Sequence, residues 1–376
     1  MYLPKQLLDS LEGVVGFDEE KFIEAHYLPA PVSVRLHPVK GLNHFGELPQ
    51  VPWCAEGRYL PHRPVFTLDP LYHAGAYYVQ EASSMFLGYV LRQLLPERDN
   101  LRALDLCAAP GGKSSLIASL LGENSLLISN EVIRTRASIL HENMTRWGYM
   151  NSWVTSNDPK DIGKLDGYFD VMVVDAPCSG SGLFRKDKDA VSEWSEANVL
   201  LCSHRQQRIL ADVWPALKED GLLVYASCSY SQQEDEEILD WLSSEFEVES
   251  LQIADTSQWG IVETKSKSGA TGYRFYPDKV NGEGFFIAAL RKTSEEGSVY
   301  QPKFRSQSDK KLKEAAAHLL RAGDYAYLQG REHCLAINAA HEADWQMLNK
   351  TLYLRKTGIA MGMPTAKEWV PEHELA

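Results

Sequence analysis

The sequence predicts an α/β fold: a doubly wound, mostly parallel sheet, preceded by a small N-terminal α+β lobe and followed by a short C-terminal module. Three observations carry this expectation. From about Leu101, short apolar runs bounded by turn residues alternate with longer helical patterns, as strand–helix–strand units require. Two of the runs, "VMVVDA" and "LLVYA", are nearly continuous in large apolar residues, as strands buried on both faces should be. A length of 376 residues leaves room for two or three domains, and a hydrophobic content of 44% is enough to fill a large core.

Taken in order, residues 1–95 mix Pro, aromatics and short apolar stretches. Within them "PVSVRLHPVK" (31–40) reads as a strand, and "YYVQEASSMFLGYVLRQLL" (77–95) as a helix with Ser83 and Ser84 near its first turns. Residues 96–292 hold the sheet. Its strands are "LRALDLCAA", "LLISNEV", "SWVTSND", "FDVMVVDAP", "GLLVYASCS" and "GFFIAALRK". Between them lie the helices "KSSLIASLLG", stopped by Gly122, "IRTRASILHENMTRWG" and "SHRQQRILADVWPALKEDG". Residues 293–310 are polar, carry Gly and Pro, lack periodicity and read as a linker. The last unit, 311–376, opens on the basic amphipathic helix "KKLKEAAAHLLRAG" and ends in short strands punctuated by Gly and Pro.

Composition excludes several functions. The first twenty residues lack a basic segment followed by an apolar core, and no long apolar run occurs, so a cytoplasmic protein without a membrane partner is expected. Six widely spaced cysteines fit neither a disulfide framework nor a metal knuckle. A net charge of −13 argues against coating nucleic acid by bulk electrostatics, leaving local basic clusters as the alternative. Three such clusters are Arg35 with Lys40, Arg185 with Lys186 and Lys188, and Lys310, Lys311 and Lys313 with Arg321. Each equally suits a solvated face. The acidic run "QQEDEEILD" reads as an exposed helix start favoured by the helix dipole.

"DLCAAPGGKSS" runs from a strand straight into a helix, so Pro110, Gly111 and Gly112 make a turn that lets a ligand approach the backbone. A phosphate-binding loop needs glycine where Cys107 stands, and the dinucleotide glycine pattern is missing. An adenosine-bearing cofactor without a pyrophosphate remains. Glu131, ending the second strand, suits a ribose diol, and Asp158, ending the third, suits an adenine amine; either acid alone is more often a helix cap.

Parallel strands present their carboxyl ends at one rim, which puts Asp175, Cys178 and Cys228 beside that turn. Taken singly, each cysteine is more often a small buried hydrophobe. Two thiols beside an adenosyl cofactor suit methylation at carbon 5 of a pyrimidine. That carbon becomes nucleophilic only after a thiolate adds at carbon 6. A carboxyl group, here Asp175, would act at N3. A free thiol is only about 3% ionised at neutral pH, so the nucleophile needs a cation, and Lys113 is the candidate, unless it simply faces solvent.

These motifs, "LDLCAAPGGKSS", "NE" at 130–131, "ND" at 157–158, "DAPCSGSG" and "YASCSYS", with "HAGAYYVQEASSM" before them, closely resemble the RNA cytosine-5 methyltransferases, in particular the Sun-type bacterial branch acting on 16S ribosomal RNA. The resemblance implies a Rossmann-like class I methyltransferase fold. It implies S-adenosyl-L-methionine held by Cys107, Ala108, Ala109, Pro110, Gly111, Gly112, Lys113, Glu131, Asp158 and Asp175. It implies Cys228 as nucleophile and Cys178 as the thiol that releases product, with Asp175 and Lys113 completing the catalytic set. Ser227 stands where the family has Thr. An N-terminal RNA-binding lobe and an incomplete C-terminal module resembling a PUA domain follow from it, as does a monomer acting on ribosomal RNA or the small ribosomal subunit. The same chemistry on transfer RNA, or a non-catalytic RNA-binding assembly factor, are the rival readings.

Overall fold

The computed structural model describes residues 3–41, 44–95, 97–294, 305–330, 333–365 and 368–375. The chain begins with two short helices, Lys5–Leu11 and Glu19–Tyr27, the second capped by the Asp18 side chain accepting from the Lys21 N–H. Leu7, Leu11 and Phe22 are buried against Phe184, Trp194, Tyr230 and Tyr276 of the central domain. Each such side chain contributes about 1.5–3 kcal/mol of apolar burial. Four antiparallel strands complete the lobe: β1 (Val32–Leu36), β2 (Gln50–Val51), β3 (Cys54–Leu60) and β4 (Tyr77–Val79), in the order β2-β3-β1-β4. The stretch expected to be one helix over 77–95 therefore splits. Tyr77 and Val79, of β-favouring type, pair with Leu36 and Val34, and the helix proper is Phe86–Leu94 after a 3-10 turn at Ser83–Met85.

The central sheet contains β5 (Arg102–Asp105), β6 (Leu126–Asn130), β7 (Ser152–Thr155), β8 (Phe169–Asp175), β9 (Leu217–Ser227), β10 (Val248–Leu251), β11 (Val262–Lys265), β12 (Thr271–Phe275) and β13 (Phe285–Lys292). Its parallel part runs β7-β6-β5-β8-β9, and β13, β12 and β11 continue it antiparallel, with β10 on β13. All six expected strands are present, and the strand order reverses beside β5, the position at which doubly wound sheets open a ligand crevice. The expected helix over 203–221 is Glu196–Val213 instead. Pro215 lacks an N–H and cannot continue it, so the chain turns at Trp214–Ala216 and enters β9 at Leu217. Strands β10, β11 and β12 were not foreseen, being short or mixed in polarity.

Helices cover both faces. Phe86–Leu94, Gly112–Leu120 and Arg134–Trp147 bury one face through Phe86, Leu116, Leu140 and Trp147. Glu196–Val213 and Glu236–Glu245 bury the other through Leu210, Val213, Leu239 and Leu242. The C-terminal unit contributes to that same second core. It consists of the helix Lys310–Ala316, shorter than the expected 310–323, β14 (Tyr325–Gln329), β15 (Cys334–Asn338), the helix Glu342–Thr351, β16 (Leu354–Lys356), β17 (Ile359–Pro364) and β18 (Trp369–Pro371). Strands β14-β15-β17-β18 form a small antiparallel sheet, while β16 leaves it to pair with β7 and cover the edge of the central sheet. Leu348 and Ile337 are fully buried in the shared core, and Arg102 at the start of β5 is bridged to Asp344 at 2.8 Å. Of the expected linker 293–310, residues 295–304 lie outside the described residues; 305–309 are coil.

Candidate active site

The first turn of the rim follows β5. Gly111 sits at φ 112°, left-handed space that glycine enters without strain, and the helix Gly112–Leu120 starts there without a side-chain cap. Its leading N–H groups are thus left for a ligand. The turn is gripped by its carbonyls instead: Arg136 donates to Ala109 O at 2.8 Å and Asn143 to Pro110 O at 2.7 Å. Asn130, one residue before Glu131, stitches three strand ends together. Its amide donates to Leu106 O and Asn157 O, and its oxygen accepts from Asn157 N at 3.0 Å. Sequence reasoning singled out Glu131 and left Asn130 as a neighbour.

The Glu131 carboxylate accepts from Ile133 N at 2.9 Å and faces Arg136 at 3.2 Å, which leaves acceptor sites for a diol. Asp158 caps the short helix Pro159–Ile162 through Lys160 N at 3.1 Å, so the cap reading holds for one of its oxygens. Cys107 stands two residues beyond the end of β5. Burial first, then neighbouring acids, push its thiol up. Asp105, missed in the sequence, ends β5 fully buried; one oxygen accepts from Ser114 Oγ at 2.6 Å and the other has no partner among the described residues. Burial raises its pKa to about 7, with Asp175 and Glu131 adding to the effect. An unpartnered buried oxygen, an uncapped helix start and an acid at the next strand end together fit a polar, adenosine-bearing cofactor.

Lys113 does not face solvent. Its side chain is 13% exposed and its Nζ donates to Asp175 Oδ2 at 2.7 Å, over the ring of Phe285 at 5.0 Å. Burial opposes the charge, but Asp175, aided by Asp105 and Cys228, holds the ammonium above its ordinary pKa. The two cysteines meet: Cys178 Sγ and Cys228 Sγ are 2.9 Å apart, and both keep partial exposure. The hydrogen bond with Cys228 and burial push the Cys178 thiol well up, so Cys178 stays protonated. Close backbone packing holds their loops. Gly182 N donates to Cys228 O at 2.9 Å, and a Cβ on Gly182 would stand 2.4 Å from Gly284 O.

Three expectations are corrected. Arg35 is 2% exposed and points inward to Gln80 and Ser115, beneath the glycine turn, because a guanidinium stacked on Trp147 at 4.6 Å with these acceptors is satisfied there. Arg185 is likewise taken inward by Glu283 at 3.1 Å. Lys40, Lys186, Lys188, Lys310, Lys311, Lys313 and Arg321 remain exposed. The acidic run after Cys228 is not an exposed helix start. Glu234, Asp235 and Glu236 are buried, the last two against the equally buried Arg274, with Asp235 at 3.2 Å. A row of acids reads as solvated unless its cation is known, and Arg274 lies on β12, where nothing in the sequence marks it.

The family model for 16S rRNA methyltransferase RsmB/F matches residues 92–291, and that for the N-terminal domain of 16S rRNA methyltransferase RsmF matches 3–82. Among curated relatives, ribosomal RNA small subunit methyltransferase F of Psychromonas ingrahamii is 33% identical over 77% of this chain and 63% of its own length. The namesake from Pectobacterium atrosepticum is 32% identical over 81% of this chain and 65% of its own, so the chain spans a little under two thirds of these relatives. That of Vibrio atlanticus is 32% identical over 86% of this chain and 72% of its own. Among solved structures, a methyltransferase homolog protein from Pyrococcus horikoshii aligns with TM-score 0.59 and 29% identity over 77% of this chain and all of that one. NSun6 from the same organism shares the fold, at TM-score 0.65 and 18% identity over 78% of this chain and 99% of that one. With both family models in chain order and the rim geometry they span, the chain belongs to the 16S rRNA methyltransferase RsmB/F family.

Proposed function

We propose that this chain methylates carbon 5 of a cytosine in 16S ribosomal RNA, through a covalent bond between Cys228 and carbon 6 of the base. The observation that carries this reading is the pair of thiols 2.9 Å apart on the same rim as the Lys113–Asp175 pair. S-adenosyl-L-methionine, when bound, supplies an electrophilic methyl group. The turn from Cys107 to Lys113 would hold its amino-acid part, Glu131 its ribose hydroxyls and Asp158 its adenine amine.

The chain's own residues divide the remaining work. Cys228 attacks carbon 6, with the Lys113 ammonium favouring the thiolate. Asp175, its carboxylate accepting from the Lys113 ammonium, would relay a proton from that ammonium to N3 and so neutralise the charge that develops on the ring. After transfer, a water molecule takes the carbon-5 proton, the freed electron pair restores the carbon 5–carbon 6 double bond, and the Cys228–carbon 6 bond breaks with its pair on sulfur. Cys178, a neutral thiol in contact with the departing sulfur, returns a proton to it. The target base must leave its stack to reach this rim. Residues 1–95 act as an RNA-binding lobe, 96–292 as the methyltransferase domain and 311–376 as a further RNA-binding module after the 293–310 linker. The exposed lysines carry the RNA contact, and the protein works as a monomer in the cytoplasm.

Cys228→Ala is expected to abolish methyl transfer to small-subunit RNA while leaving affinity for S-adenosylhomocysteine unchanged. Full activity in that variant overturns the assignment. Bisulfite mapping of ribosomal and transfer RNA, with and without the protein, is expected to lose one 16S position; a lost transfer RNA position would move the substrate there.

A further inference from the structure

Among the buried titratable groups of the rim, Glu234 has no part in the chemistry above. It is completely buried and faces hydroxyl and amide donors, while its neighbours Asp235 and Glu236 take the buried cation Arg274. Its donors come from both cysteine loops. Oε1 accepts from the Ser179 N–H at 2.7 Å, and Oε2 accepts from Ser179 Oγ and Ser229 Oγ, each at 2.6 Å. Ser179 follows Cys178, and Ser229 follows Cys228. The turn that carries Glu234 is fixed separately, by Tyr225 Oη donating to Glu234 O at 2.6 Å.

We infer that Glu234 is a positioning residue: one carboxylate ties the "PCSG" loop to the "SCSY" loop and sets Cys178 opposite Cys228. The argument from chemistry is short. Three donors from two loops converge on one side chain, and only an acceptor with two free oxygens satisfies all of them. Glutamine in its place would turn an NH₂ group toward at least one of these donors, leaving it unpaired in a site closed to water. Burial raises the Glu234 carboxyl above its ordinary pKa, and the Ser179 and Ser229 donors offset that rise only in part. Ser229 Oγ also accepts from Ser231 N at 3.0 Å, which stiffens the second loop beyond the nucleophile. Release by Cys178 demands sulfur-to-sulfur contact, and a clamp that sets this distance governs turnover without touching cofactor or base. The inference rests on the roles given above to Cys228 and Cys178.

The test compares the full chain with Glu234→Gln, Ser179→Ala and Ser229→Ala. Diamide, which takes two protons and two electrons from a thiol pair, converts neighbouring thiols to a disulfide, and peptide mass mapping reads the Cys178–Cys228 bridge. The expected result is bridging slowed about tenfold or more and kcat reduced by a similar or larger factor, since small misplacements near a reacting centre cost up to about a hundredfold. Affinity for S-adenosylhomocysteine stays parental in the same samples. Thermal melting identifies any variant that fails to fold; if Glu234→Gln is among them, Ser229→Ala, which removes a single hydroxyl, decides. Parental bridging and parental kcat in folded variants overturn the clamp. Absence of methyl transfer by the unaltered chain overturns the proposed function instead, and the bridging rates still decide the clamp.

Discussion

The two rim thiols differ in what surrounds them. Cys178 lies on the side of the buried Glu234 carboxylate, and Lys113 responds electrostatically to Cys228. Cys178, Cys228, Asp175 and Lys113 were legible in the sequence because each follows a strand or opens a helix at the carboxyl rim. Asp105 was not, since the strand expected from the sequence ran on past it to Ala109, whereas β5 ends at Asp105. Its behaviour is testable. A folded-state pKa of about 7 lies above the ordinary 3.8. The folded protein therefore binds a proton that the unfolded chain releases, and this stability is fully present below pH 4 and lost as pH rises through 7. Relative to Asp105→Asn, the parent should lose about 2–3 kcal/mol between pH 5 and pH 8 in urea titrations. An unchanged difference would show that Asp105 is ionised throughout.

At the scale of elements, the parallel strands were readable from their apolar runs, and the helix Arg134–Trp147 from its Gly148 stop, which adopts φ 88°. Elements decided by tertiary partners were not. Strand β4 exists because it pairs with β1; the helix after Asp235 was expected, but not that its start is buried and held by a guanidinium on a strand that follows it in the chain. Arg274 donates to Glu236 and to Tyr230 O at 2.8 Å, and so anchors the segment after Cys228 from beneath. Removing one partner of a buried ion network strands the others. Arg274→Ala should destabilise the protein by about 3–5 kcal/mol in equilibrium denaturation. A loss well under 1 kcal/mol would indicate that water replaces the guanidinium.

Across the whole molecule, three sequence-distant units converge on one sheet. The N-terminal helices pack beside Tyr230, two residues beyond Cys228, with Phe22 edge-on to its ring at 4.9 Å. The C-terminal unit extends the sheet through β16 and fills the second core through Leu348. Its Glu374 ties back to Lys356 at 2.8 Å and to Thr145 at 3.0 Å. The sequence marked this unit as separate because a polar segment precedes it, and composition does not reveal a strand that pairs outside its own unit. Leu348→Ala should cost about 2–5 kcal/mol and lower the stability of the central sheet together with the C-terminal unit, as one transition in calorimetry. Two separate transitions would show that the shared core does not couple them.

The covalent role proposed for Cys228 is open to direct observation in the Cys178→Ala protein, incubated with small-subunit RNA and S-adenosyl-L-methionine and then denatured. The expected result is a protein–RNA adduct that survives denaturation and maps by mass spectrometry to residue 228 joined through carbon 6 to a 5-methyl-5,6-dihydrocytidine. Turnover at the parental rate with no adduct would contradict release by Cys178, and an adduct at any other residue would contradict Cys228 as the nucleophile.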